Sequence, residues 1–240
     1  MKRNYAYRKQ KHPFFNALKV IMNPLLKRPK IINYNKEILD KSIILCPHCG
    51  KWGPLSLSFN FPKKTAIWGA HEMLEDYKTR RKYLIEVLYM QKLKRKRFFS
   101  SIKASFEAIF NVMIYKGMMI IPTYQDMRFV NTIKYSIETI KNDIPVLIFP
   151  EDSSDGYFEY LKSCLPGFIT LAERYQKKVG ERIPIYLAYY NYSKKILIID
   201  KPVYIDELKN QGLDNDQICE WATNKINILY KDYLESKQNN

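Results

Sequence analysis

Short apolar runs alternate with longer segments of helical periodicity along most of the chain, and this alternation constrains the fold more than any other feature. The runs that predict strands cover residues 30–34, 42–46, 65–68, 117–122, 145–149, 183–190 and 195–204. Between them, apolar residues recur at helical spacing, as in 163–178 and 215–235. Strands that alternate with helices pair in parallel and are covered by those helices. The sequence therefore predicts an α/β fold with a mostly parallel central sheet covered by helices.

The chain divides into a basic amphipathic N-terminal segment, residues 1–29, and one domain, residues 30–240. In the first part, Phe14, Leu18 and Ile21 recur at helical spacing with lysines nearby. Two interpretations stay open, because this stripe would fit a bilayer surface or the surface of the domain. No run approaches the ~20 apolar residues of a spanning helix, and no secretory signal is recognised. We therefore expect a cytoplasmic protein that is peripheral on the inner face of the membrane.

The charge of the chain predicts an anionic partner. There are 40 lysine and arginine residues against 24 acidic ones, a formal net charge of +16. Nucleic acid, an acidic membrane surface and a phosphorylated substrate would each fit such an excess. The predicted helical segment 72–115 has basic clusters at 78–82 and 92–97. Its aromatic residues are placed as an apolar face and no nucleic-acid-binding module is recognised, so we expect an anionic membrane surface and no nucleic acid.

Polar residues with catalytic chemistry follow two of the predicted strands. His48 comes after the strand at 42–46, whereas Glu151 and Asp152 come after the strand at 145–149. Ligands of α/β sheets bind beyond the carboxyl ends of the strands, so these side chains would share one site. Histidine suits a general base at neutral pH, and a neighbouring carboxylate can orient its ring.

Two cysteines flank this histidine in a Cys-x-x-Cys pattern that is typical of zinc knuckles and of redox pairs. A structural zinc site needs four ligands, usually from two knuckles, and the sequence has only Cys46 and Cys49 in this pattern. A redox pair needs its first cysteine at a helix N-terminus, but Gly53 and Pro54 follow closely. We therefore expect no metal, and the zinc and redox interpretations rank below a site built on His48.

A series of motifs in a fixed order points to a family. The series comprises His48-x4-Gly53-Pro54, Gly69-Ala70-His71-Glu72, the strand at 117–122, Phe149-Pro150-Glu151-Asp152-Ser153, Gly167 with Leu171-Ala172, and Pro184-Ile185. Over about residues 30–205 it resembles the lysophospholipid acyltransferases, the 1-acylglycerol-3-phosphate acyltransferase superfamily. Family members carry His-x4-Asp after one strand and Phe-Pro-Glu-Gly-Thr after another. Here Gly53 stands at the place of the aspartate, and Asp152 stands at the place of the glycine.

The resemblance implies an acyltransferase of phospholipid biosynthesis. It would move a fatty acyl group from a thioester of coenzyme A or of acyl-carrier protein to a hydroxyl of a (lyso)glycerolipid or related acceptor at the membrane surface. It implies His48 as the general base, supported by Glu151 or Asp152, with no metal and no cofactor besides the acyl donor. The residues expected to contact substrate are Lys51, Arg128, Pro150 and Ser153.

The departures from the family pattern leave two hypotheses open. In one, the supporting carboxylate has moved from the first loop to the second, so that Asp152 orients His48. In the other, the chain is a catalytically degenerate relative that binds anionic lipid. The family's second motif usually ends in an arginine thought to bind the acceptor phosphate, whereas Asp126 stands near that place here and Arg128 follows.

Overall fold

The computed structural model describes residues 4–8, 13–22, 28–50 and 52–238 of the 240-residue chain. The strands are β1 (Lys30–Asn33), β2 (Ile43–Leu45), β3 (Ala66–Ala70), β4 (Ile120–Thr123), β5 (Val146–Ile148), β6 (Ile185–Asn191) and β7 (Ile196–Val203). The helices are α1 (Pro13–Met22), α2 (Gly53–Asn60), α3 (Tyr77–Tyr83), α4 (Arg97–Gly117), α5 (Phe129–Lys141), α6 (Gly167–Val179), α7 (Ile205–Asn210) and α8 (Asn215–Gln238). A 3-10 turn (His71–Leu74) follows β3, and a π-helical segment (Leu84–Lys92) follows α3.

The strands form one seven-stranded sheet in the order β1-β7-β6-β2-β5-β3-β4. The five strands from β6 to β4 in this order are parallel to one another, β7 is antiparallel to β6, and β1 is parallel to β7. The predicted α/β fold with a mostly parallel sheet is confirmed. Because parallel strands end at the same edge, the loops after β2, β3, β4, β5 and β6 all leave the sheet at one side.

The central strands are apolar on both faces, as the sequence predicted. Ile43, Ile44 and Leu45 of β2 are fully buried. Ile43 and Leu45 face the core cluster that includes Ile226 of α8, whereas Ile44 faces the opposite cluster with Leu57 of α2. Side chains alternate between the two faces of a strand, so a continuous apolar run is what a strand covered on both sides requires.

The helical segment predicted over 72–115 is not continuous. It is divided into the 3-10 turn, α3, the π-helical segment and α4. Asp76 caps α3 by accepting a hydrogen bond from the backbone N–H of Thr79 at 3.1 Å. The π-helical segment ends before Lys94, whose φ of 51° lies in the left-handed region that interrupts a helix. The prediction that residues 72–115 are helical is therefore confirmed over most of the range, and the structure adds the breaks between the helical pieces.

The described parts of the N-terminal segment pack on the domain. The hydroxyl of Tyr7 donates a hydrogen bond to the carbonyl oxygen of Ile120 at 2.8 Å. Phe15 of α1 is buried against Gly117, where an added Cβ would overlap its ring. No helix in the described ranges is long and apolar enough to cross a membrane. The exposed large apolar side chains of α1 are Phe14, Val20 and Ile21.

Candidate functional site

His48 and Glu151 are joined directly at the carboxyl-terminal edge of the sheet. β2 and β5 are parallel neighbours, with Leu45 opposite Ile148, so the two loops start at the same level. The backbone N–H of Cys46 donates to the carbonyl oxygen of Ile148 at 3.1 Å, which extends the pairing beyond the strands. The backbone N–H of His48 then donates to Oε1 of Glu151 at 2.8 Å. The sheet register thereby brings together two residues that are distant in sequence.

The carboxyl group of Glu151 is poised to exchange a proton near neutral pH. Burial raises the pKa of Glu151 to about 7. The hydrogen bond from His48 and the positive charge of Lys92 both lower this pKa, but by less than burial raises it. A carboxyl group that titrates in this range can accept or donate a proton under physiological conditions.

The ring of His48 lies against two aromatic side chains. It stacks on Tyr157 at 4.6 Å between ring centroids and meets Phe149 edge-on at 4.8 Å. Burial lowers the pKa of His48 to about 3, the nearby positive charge of Lys92 adds to this effect, and an interaction of the ring with the backbone of Gly50 opposes it. Nδ1 is buried and has no hydrogen-bond partner within the described ranges. The imidazole is therefore neutral at pH 7, with one ring nitrogen unused, which is uncommon for a buried polar atom.

Lys92 is a third charged group of the site and was not singled out from the sequence. It ends the π-helical segment, and its Nζ donates to Oγ of Ser153 at 2.6 Å. The same Nζ lies 5.9 Å from the ring centroid of Tyr157. Burial lowers the pKa of Lys92, while neighbouring carboxylates, Glu151 first, oppose that effect. The sequence showed this lysine only as part of a basic cluster, because apolar periodicity does not reveal a π-helix that turns it inward.

Two other residues predicted for the site, Asp152 and Pro150, also lie in the loop after β5. Asp152 is exposed, and its Oδ1 accepts a hydrogen bond from the backbone N–H of Ser154 at 2.9 Å. No hydrogen bond joins it to His48 in the part of the chain that the structure describes, so an Asp152 relay has no support here. Pro150 is buried, and its carbonyl oxygen accepts the N–H of Leu165 at 2.6 Å.

Gly53, at the place of the aspartate in the acyltransferase family that the sequence resembles, has no room for a side chain. An added Cβ would overlap the backbone carbonyl oxygen of His48. α2 starts at Gly53 and holds it against the preceding loop. A carboxylate at position 53 would therefore displace the loop that it is expected to support, and in this chain Glu151 is the carboxylate that contacts the loop.

Arg128 lies at another part of the same edge, beyond β4. β4 is three strands from β2, which corresponds to about 14 Å at the usual strand spacing. Nη2 of Arg128 bonds Oδ2 of Asp126 at 2.8 Å, and its guanidinium lies 4.6 Å from the ring centroid of Tyr124. Its side chain is 52% exposed, so this ion pair is screened by solvent. Lys51, also predicted to contact substrate, lies outside the described residues.

Cys46 and Cys49 are free thiols, the first buried and the second half-buried. Burial raises the pKa of Cys46 well above its usual value and that of Cys49 to about 12. The Cys49 thiol donates to the carbonyl oxygen of Tyr190. Thiol redox chemistry requires the thiolate, which this environment disfavours. Within the described ranges, no group of three or more His, Cys, Asp or Glu side chains is arranged to hold a metal ion.

Comparison with models of known protein families and with curated proteins finds no match to this chain. Its function is therefore argued from the arrangement of His48, Glu151 and Lys92.

Proposed function

We propose that this protein is an acyltransferase that moves a fatty acyl group from an acyl thioester to a hydroxyl of a (lyso)glycerolipid or related lipid. The donor thioester is carried by coenzyme A or by acyl-carrier protein. The observation that carries the proposal is that His48, with a neutral and half-buried ring, donates its backbone N–H to Glu151 at the edge of the sheet where α/β proteins bind ligands.

In this proposal His48 is the general base. Its neutral ring accepts the proton of the acceptor hydroxyl while the hydroxyl oxygen attacks the thioester carbonyl carbon. The C–S bond breaks as the tetrahedral intermediate collapses, and the proton passes from the imidazolium to the leaving thiolate. A pKa of about 3 keeps the ring neutral before the reaction and favours return of that proton, because the site destabilises the charged ring. The same low pKa makes the ring a weak base, so proton acceptance depends on stabilisation of the imidazolium by its surroundings.

Glu151 and Lys92 have distinct proposed roles. Glu151 fixes the His48 loop through its hydrogen bond to the backbone N–H, and its negative charge, when present, stabilises the imidazolium. Lys92 is the anion contact of the site, because its Nζ lies beside Ser153 within the same group of side chains. An ammonium group there suits a phosphate of the acceptor or the oxyanion that develops on the thioester.

The proposed location is the inner face of a membrane, where the lipid acceptor of phospholipid biosynthesis lies. The net charge of +16 supports an anionic surface as partner, since basic residues near such a surface each contribute about 1 kcal/mol to binding.

A second candidate function is binding of anionic lipid without acyl transfer. Two observations favour it. Position 53 cannot hold the family's carboxylate, and no carboxylate is hydrogen-bonded to the ring of His48 within the described ranges. Loss of an orienting carboxylate in a triad-like site can reduce turnover by about 10⁴-fold.

Lipid mass spectrometry of cells that lack the protein separates the two candidates and identifies the acceptor. The cells are complemented with wild type, with His48→Gln, or with the control His71→Gln, which changes a histidine that lies against Tyr124. Acyl transfer predicts that wild type and His71→Gln restore the same acylated lipid while His48→Gln does not. Equal restoration by His48→Gln would exclude His48 as the base and leave lipid binding as the better account.

A further inference from the structure

Helix α4 presents its large apolar side chains to solvent. Successive helical residues are rotated by about 100°, so the seven exposed positions fall within an arc of about 120°. Their exposed fractions range from 44% at Met113 to 72% at Phe99. The seven are Phe98, Phe99, Ile102, Phe106, Ile109, Phe110 and Met113.

The opposite side of α4 carries small residues that pack on the domain. Ser100, Ala104 and Ala108 are buried, and the two alanines contact the cluster that contains Tyr89 of the π-helical segment. A surface helix ordinarily turns its large apolar side chains inward. α4 does the reverse, so its orientation is set by close packing of small residues, and a continuous aromatic and aliphatic face is left uncovered within the described structure.

Basic residues border this face. Residues 94–97 are four consecutive exposed lysines and arginines directly before Phe98, and Lys103 and Lys116 are exposed farther along the helix. The one acidic residue of α4 is Glu107, and it accepts a hydrogen bond from the Tyr89 hydroxyl at 2.6 Å. The border of the face is therefore cationic.

A surface cavity of about 260 Å³ lies at the basic end of the helix. Its lining combines three cationic side chains with two aromatic rings, which suits an anionic group attached to an apolar chain. The lining residues are Tyr89, Arg95, Lys96, Phe99, Ser100 and Lys103.

We propose that the exposed face of α4 docks on an anionic lipid bilayer, with its apolar side chains among the acyl chains and its basic border against the phosphates. An aromatic face bordered by lysine and arginine is the pattern of helices that lie in the interfacial plane of a membrane. The uncovered face is also a contiguous apolar patch, whereas the exposed apolar residues of a soluble domain are ordinarily scattered singly.

Charge favours the bilayer over a second copy of this chain. A symmetric dimer through α4 would bring the two basic borders together on molecules that each carry +16. An anionic bilayer neutralises the same border and also accepts the phenylalanines.

The docking face is continuous in sequence with the candidate site. Lys92 lies two residues before the basic run at 94–97, so docking would hold the site next to the lipid headgroups. Delivery of a lipid acceptor to the site in this way rests on the proposed function, whereas bilayer binding itself does not depend on acyl transfer.

Co-sedimentation of the full-length protein with lipid vesicles tests the proposal. Phosphatidylcholine vesicles with and without phosphatidylglycerol are compared for wild type, Phe106→Asp/Phe110→Asp, and a variant with residues 94–97 changed to glutamine. We expect wild type to bind the anionic vesicles, and each variant to bind them at least about tenfold more weakly. Met127→Asp/Val130→Asp is the matched control, because it places two aspartates at exposed apolar positions outside α4 and should bind as wild type does.

Several outcomes would overturn the proposal. They are equal binding by the α4 and control variants, binding to DNA in preference to anionic vesicles, and a solution dimer that the α4 variant dissociates. His48→Gln separates this proposal from the proposed function, because it should bind vesicles as tightly as wild type. Acyl transfer to detergent-dispersed lipid without vesicle binding would overturn only the docking proposal. Vesicle binding without transfer would overturn only the proposed function.

Discussion

The backbone N–H of His48 donates a 2.8 Å hydrogen bond to Oε1 of Glu151, across a sequence separation of 103 residues. The bond ties the loop after β2 to the loop after β5. It also leaves the His48 ring without a carboxylate partner in the described structure, so Glu151 acts on the loop that carries the ring. The side chains of His48, Glu151 and Lys92 then share one half-buried region, and their mutual effects make the site sensitive to pH and to single substitutions.

Glu151→Gln should become more stable relative to wild type as pH rises. The pKa of Glu151 is about 7 in the folded protein, above its unfolded value, so the folded state holds a proton that the unfolded chain releases. Stability from this group is present at low pH and is lost as pH rises to about 7. Glutamine cannot ionise, so urea unfolding should show a relative gain on the order of 1–3 kcal/mol between pH 4.5 and pH 8. A constant difference across this range would contradict the raised pKa.

His48→Gln should lose less stability than wild type on acidification. The pKa of His48 is about 3 in the folded protein, below its unfolded value, so the unfolded chain takes up a proton that the folded state resists. This effect is absent at pH 8 and amounts to about 2 kcal/mol at pH 5. Urea unfolding of both proteins at the two pH values measures it. A parallel loss of stability in both would indicate that His48 is protonated in the folded state.

Gly53→Asp should disrupt the site, although aspartate stands there in the acyltransferase family that the sequence resembles. The added side chain would overlap the carbonyl oxygen of His48, and forcing atoms into a packed region costs about 1–3 kcal/mol. We expect lower stability and loss of acyl transfer together.

Gly180→Ala is a useful comparison for that variant. Gly180 has a φ of 81° with open space around it, so only backbone strain of about 1 kcal/mol is added, away from the site. Activity should persist in this variant. A Gly53→Asp protein that is as stable and active as wild type would show that the loop can rearrange to the family geometry.

Lys92→Met should reduce acyl transfer by about tenfold or more, because it removes the cation beside Ser153 while keeping the aliphatic stem. Lys92 lowers the pKa of both Glu151 and His48, so removing its charge should raise both values. The acidic limb of the pH–rate profile should therefore move to higher pH. Lys82→Met is the control, because the Lys82 side chain is 74% exposed. A loss of activity with an unchanged pH profile would assign Lys92 to folding of the loop instead.

The sheet and the adjacency of His48 and Glu151 could be predicted because both depend on local pattern. Buried β-branched runs such as residues 42–46 and 145–149 identify parallel strands, and the ends of neighbouring parallel strands meet at one edge. The strand predicted at 117–122 begins before the observed strand, because Gly117 still belongs to α4 and β4 begins at Ile120.

Features that depend on tertiary contact could not be predicted. The left-handed φ of Lys94 and the π-helical turn that places Lys92 beside Ser153 leave no trace in apolar periodicity. The close approach of Gly53 to the His48 carbonyl is likewise visible only in three dimensions. Periodicity identifies the apolar stripe of a helix such as α4, but it assumes that the stripe faces inward. In α4 the small residues Ser100 and Ala104 face inward instead, because they pack more closely than phenylalanine would allow.

The rate of product formation by purified wild type and His48→Gln tests the central claim most directly. Both are supplied with saturating acyl thioester and lysoglycerolipid, and the acylated lipid is quantified by mass spectrometry. Removal of a general base predicts a fall of about 10²–10⁴-fold in His48→Gln, with His71→Gln within a factor of about two of wild type. Equal rates in wild type and His48→Gln, or no acylated lipid from wild type with any donor and acceptor, would contradict the account.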